Sequence, residues 1–64
     1  MTNKLRQYRE SRGLTQVQLA EKARVSRNTI SVLETQNNVN VTYEVMSRIA
    51  KALGYKVTTI FFGE

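Results

Sequence analysis

Residues 15–34 constrain the fold more than any other part of this 64-residue chain. Two runs with apolar residues at spacings of three and four are separated only by Arg24, Val25 and Ser26. That spacing predicts helices, and so short a link forces the two into a tight crossing. Thr15 starts the first run, and Gln18 completes a capping box with it. Leu14 and Leu19 are placed as the hydrophobic staple around that cap. Leu19, Ala20 and Ala23 form the inward stripe, and Ala20 is small enough to let another helix approach closely. Ser26 is the N-cap of the second run, with Val25 and Ile30 as its staple. Ile30 and Leu33 face inward, which leaves Arg27, Asn28, Ser31 and Val32 on other faces.

The remaining segments also read as helical. A helix from about Asn3 to Arg12 puts Leu5, Tyr8, Arg9 and Arg12 on one face, and Gly13 is its natural stop. Residues 35–41 read as a loop, because Asn tolerates turn conformations. Thr42 opens a fourth helix with Val41 and Met46 as staple. Its apolar stripe is Val45, Met46, Ile49, Ala50 and Leu53, and Gly54 ends it. In the tail, residues 57–62 suit a strand by propensity or a fifth helix capped by Thr58 or Thr59. No other strand is available for pairing, so the expectation is helix. Without repeats, linkers or low-complexity tracts, residues 1–64 are expected to form one domain.

Composition narrows the function classes. No Cys and no His are present, so disulfides, the usual zinc ligands and the commonest general base are missing. No nucleophile–base pair or Gly-rich phosphate loop appears, so no enzyme, metal or cofactor is expected. No apolar run approaches the roughly 20 residues of a membrane span, and no signal-like region follows the N-terminus. A cytoplasmic location is the default expectation. The formal net charge of +5 suits either a solvated surface or a phosphate-facing patch.

Taken together, several short motifs resemble the Cro/repressor-type helix-turn-helix domains of phage and bacterial transcription regulators. They are Leu5-Arg6-Gln7-Tyr8-Arg9, Gly13-Leu14-Thr15-Gln16, Leu19-Ala20-Glu21-Lys22-Ala23, Val25-Ser26, Ile30-Ser31-Val32-Leu33-Glu34 and Ile49-Ala50-Lys51-Ala52-Leu53-Gly54. The resemblance implies an all-α, compact five-helix bundle of the lambda-repressor-like kind, with the third helix as recognition helix. It also implies that Gln16 binds a backbone phosphate and that Arg9 and Glu34 form a partly buried structural ion pair. The chain departs from the usual pattern at three places. Arg24 stands where the turn often has Gly, Val41 where a Pro is frequent, and no Lys or Arg occurs from Asn28 to Ser47.

The expected function is a sequence-specific regulator that binds double-stranded DNA, Cro-like in size and a repressor. Arg27, Asn28, Thr29 and Val32 are the candidate base contacts. Arg suits guanine O6 and N7, Asn suits adenine N6 and N7, and valine methyls suit a thymine methyl. Gln16, Thr15, Ser26, Ser31, Asn37 and Asn38 are the candidate phosphate contacts. Val45, Tyr55 and Phe62 are candidate dimer contacts, since operator readers of this type bind as two-fold dimers on half-sites. No small-molecule effector is expected. The alternative is an antitoxin or adaptor that uses the same fold to hold a protein partner.

Overall fold

Capping chemistry decides where the helices begin. In the computed structural model, which describes residues 4–35 and 41–62, five helices follow in order. They are α1 (Leu5–Ser11), α2 (Gln16–Ala23), α3 (Arg27–Thr35), α4 (Tyr43–Leu53) and α5 (Val57–Phe61). The described residues contain no strand. Ahead of α2, Thr15 Oγ1 accepts from the Gln18 amide at 3.1 Å, and the Thr15 amide donates back to Gln18 Oε1 at 2.8 Å. Ser26 Oγ accepts from the Thr29 amide at 3.1 Å, and Thr42 Oγ1 from the Val45 amide at 3.2 Å. Each cap satisfies an amide that the first turn otherwise leaves without a partner.

Three helices end by one device. Leu14 N donates to Arg9 O, Val25 N to Ala20 O and Tyr55 N to Ala50 O, at 3.2, 3.0 and 3.0 Å. The residue before each donor is left-handed: Gly13 at φ 70°, Arg24 at φ 60° and Gly54 at φ 81°. These are Schellman closures, which favour Gly at that position. Leu14, Val25 and Tyr55 then turn back onto the core. Arg24 adopts the left-handed conformation at a cost of roughly 1–2 kcal/mol. Arg24→Gly is therefore expected to stabilise the fold by about 0.5–1 kcal/mol after the entropy of glycine is counted. Thermal unfolding followed by circular dichroism should show a Tm several degrees higher. A lower Tm would mean that the Arg24 side chain contributes more than the strain costs.

Each helix sends at least one fully buried side chain to the centre: Leu5, Leu19, Ile30, Ile49 with Leu53, and Ile60. Helix α2 is the hub, packing on both α3 and α4, while α1 packs on α3 and α5. Ala20 and Ala23, both buried, permit these close crossings. The backbone of Lys4 closes the bundle by donating to Ile60 O at 3.0 Å.

Three expected boundaries shift. Helix α1 begins at Leu5, with Lys4 as its flanking residue. Thr35 belongs to α3, where its hydroxyl donates to Ser31 O at 2.9 Å. Neither Thr58 nor Thr59 caps α5. Lys56 holds that position without a side-chain cap, and both threonines lie inside the helix. The closure at Gly54 turns Tyr55 inward, and Val57 packs on the core immediately afterwards. The helix therefore starts before either threonine.

Candidate nucleic-acid interface

At the start of α3, the Ser26 hydroxyl accepts from the Thr29 amide and also shares a 2.8 Å hydrogen bond with Thr29 Oγ1. The cap thus engages both Ser26 and Thr29. Arg27 and Asn28 follow it and are exposed. Among the described residues, neither side chain makes a hydrogen bond or ion pair within the chain. A bidentate side chain left without an internal partner at a helix start is equipped to read a base edge. Thr29, Ser31 and Val32 are half-buried. No acidic residue lies in the first turn of α2 or of α3, and the one carboxylate that approaches the start of α2, that of Glu34, is paired with Arg9.

Glu34 anchors the other end of α3. Its side chain is only 3% exposed, and that of Arg9 is 11% exposed. Arg9 Nε donates to Glu34 Oε2 at 2.6 Å and Nη2 to Oε1 at 3.2 Å, a bidentate pair. Arg9 Nη1 donates to Leu14 O at 2.6 Å, in the link between α1 and α2. Gln16 Nε2 donates to Glu34 Oε1 at 3.1 Å. One carboxylate therefore joins α1, α2 and the far end of α3. Its hydrogen bond holds the Arg9 guanidinium above the ordinary arginine range, against the opposing effect of burial. The Gln16–Glu34 bond is visible only once α2 and α3 are packed, because no local spacing pairs them.

The other candidates are more scattered. Thr15 is exposed, with its side chain in the α2 cap. Asn37 and Asn38 lie outside the described residues. Val45 is half-buried against the core, and Phe62 stands 49% exposed at the end of α5. Tyr55 is engaged inside the chain. Its ring centroid lies 4.3 Å from that of Tyr8, and the Arg12 guanidinium sits 4.8 Å from it. Arg12 Nε also donates to Leu53 O at 3.0 Å, which places a cation at the C-terminal end of α4. Sequence reasoning missed two exposed apolar residues, Val17 beside Gln16 and Tyr43 at the start of α4. Val17 carried a signal, as an apolar residue on the otherwise polar outer face of α2. Among the described residues no cluster of acidic side chains could hold a metal ion, and no helix is long and apolar enough to cross a membrane.

A helix-turn-helix family profile matches residues 5–60. The chain is 41% identical over 64 residues to an uncharacterized HTH-type transcriptional regulator of Methanocaldococcus jannaschii, covering all of this chain and 96% of that protein. It is 39% identical over 57 residues to the immunity repressor protein of Bacillus phage phi105. That match covers 89% of this chain and 39% of the repressor.

Proposed function

The chain belongs to the Cro/repressor-type helix-turn-helix family of transcriptional regulators, and on that premise we propose that it is a sequence-specific repressor that sets α3 into the major groove of DNA. Arg27 and Asn28 read base edges, with Thr29 and Val32 beside them. Gln16 at the start of α2 and the caps Thr15 and Ser26 hold flanking phosphates, joined by Ser31, Asn37 and Asn38. The observation that carries this reading is the pair of exposed side chains at the capped start of α3, neither of them engaged within the chain. Residues 1–64 act as one domain whose effect depends on operator occupancy rather than on catalysis.

Binding is by a two-fold dimer on a palindromic operator, with half-sites about 34 Å apart. Phe62 and Val45 contribute to the dimer contact. Tyr55, held by Tyr8 and Arg12, supports that surface from inside.

Selection of bound duplexes from a random pool, read by gel shift, tests the base-reading role. Arg27→Ala is expected to return a different preferred site and to weaken the original one by about 1–3 kcal/mol. An unchanged preferred site, with only uniform weakening, would remove Arg27 from base reading. Affinity for the selected duplex should also fall steeply with salt.

A further inference from the structure

Most of the cationic side chains lie away from the start of α3. A cleft of about 440 Å³ is lined by Lys22, Ala23, Arg24, Arg48, Lys51 and Ala52. A second recess of about 340 Å³ adjoins it through Lys22, Lys51 and Ala52, and adds Arg12. No glutamate lines either one. Arg48 meets Glu44 at 3.4 Å on an exposed surface, a weak pairing. Lys22, Arg24 and Lys51 have no salt bridge among the described residues. A lysine in the last turn of α2 and another in that of α4 suit the negative ends of those helices. Arg24, the C-cap residue of α2, stands at the same helix end, whereas Arg48 lies ahead of the last turn of α4, where dipole compensation does not account for it.

We propose that this cleft binds an acidic polypeptide segment, one that seats an apolar side chain between aspartates or glutamates. Lys22 and Arg24 come from the α2 side and Arg48 and Lys51 from the α4 side, so the carboxylates have partners on both walls. Ala23 and Ala52 line the space between them with methyl groups, which suits an apolar side chain. The lining favours a peptide over a duplex: Ala23 and Ala52 lie between the cationic walls, and a phosphate backbone offers no apolar side chain to seat on them. None of Arg27, Asn28 and Gln16 lines the cleft, so an acidic partner can occupy it while α3 is on DNA. This inference goes beyond the repressor reading, and its peptide measurement needs no DNA.

The test is fluorescence anisotropy with two probes, a labelled peptide of four Asp-Glu-Leu repeats and the selected duplex, both at about 0.15 M salt. The peptide is expected to bind, and its Asn-Gln-Leu counterpart is not. Arg48→Gln combined with Lys51→Gln should weaken peptide binding at least fivefold, and Lys22→Gln on the opposite wall should weaken it in the same direction. Arg27→Ala should leave peptide affinity within twofold. All four residues are exposed, and circular dichroism confirms that each variant is folded. No peptide binding, or equal binding by the wild type and the cleft variants, would overturn the proposal. It would also be overturned if the cleft variants lost duplex affinity as Arg27→Ala does, because the surface would then serve phosphates. Failure of the duplex to bind wild type would count against the repressor reading alone.

Discussion

Glu34→Ala is expected to remove about 3–5 kcal/mol of stability. The carboxylate accepts from Arg9 Nε, Arg9 Nη2 and Gln16 Nε2. Without it, a guanidinium with an 11% exposed side chain keeps only the carbonyl of Leu14. An uncompensated buried cation is costly because the interior replaces little of its lost hydration. A chain of this size has a total stability of about 3–10 kcal/mol, so this one change removes roughly three tenths of it or more. Urea unfolding followed by circular dichroism should show a much lower midpoint. A loss below about 1 kcal/mol would place the pair among ordinary surface ion pairs. Arg9→Met combined with Glu34→Leu should recover most of the loss, because an apolar pair leaves no stranded charge.

The sign of the pH dependence follows from the Arg9 shift. The guanidinium is held above its ordinary value, mainly by the hydrogen bond to Glu34. A raised pKa contributes stability that is fully present below the unfolded-state value and disappears only as pH rises through the folded-state value. Both lie in the strongly alkaline range. The stability difference between wild type and Glu34→Ala should therefore stay constant from about pH 7 to pH 10. A difference that shrank over that interval would show that another titrating group carries it.

Gln16→Glu is expected to weaken duplex binding by about 2 kcal/mol or more, roughly thirtyfold. In the folded protein the Gln16 amide nitrogen stands 3.1 Å from a Glu34 oxygen. A carboxylate in its place turns that attraction into repulsion and presents a negative charge toward the phosphates that Gln16 is proposed to hold. The dipole of α2 favours an anion in its first turn by about 0.3–1 kcal/mol, which offsets part of the loss in stability but none of the repulsion from DNA. Gln16→Ala removes only the hydrogen bonds and should cost about 1 kcal/mol, near fivefold. Anisotropy titrations of both variants at one salt concentration separate the two effects. Equal affinity for wild type and Gln16→Glu would exclude Gln16 from the contact.

Local chemistry made much of this fold legible. The caps at Thr15, Ser26 and Thr42 and the glycine stops at Gly13 and Gly54 depend on neighbouring residues, and they stand where side-chain type and spacing put them. The start of α5 was misread for the same reason. Thr58 and Thr59 are better caps than Lys56, yet the turn after Gly54 and the burial of Val57 fix the boundary first. Tertiary pairings were less visible. Arg12 reaches Leu53 O across 41 positions, and no periodicity announces that contact. The Arg9–Glu34 pair was expected from family resemblance, and the third partner, Gln16, appears only in the packed structure. The basic cleft is equally hidden, since Lys22, Arg24, Arg48 and Lys51 approach one another only when α2 and α4 pack together.

The capped start of α3 as the DNA-reading surface is best tested by titrating isotope-labelled protein with its selected duplex and following backbone amide resonances by NMR. The largest changes are expected on residues 26–32 and on Gln16, while Arg48 and Lys51 stay nearly still. Large changes confined to the α2–α4 cleft, with Arg27 and Asn28 unmoved, would contradict it.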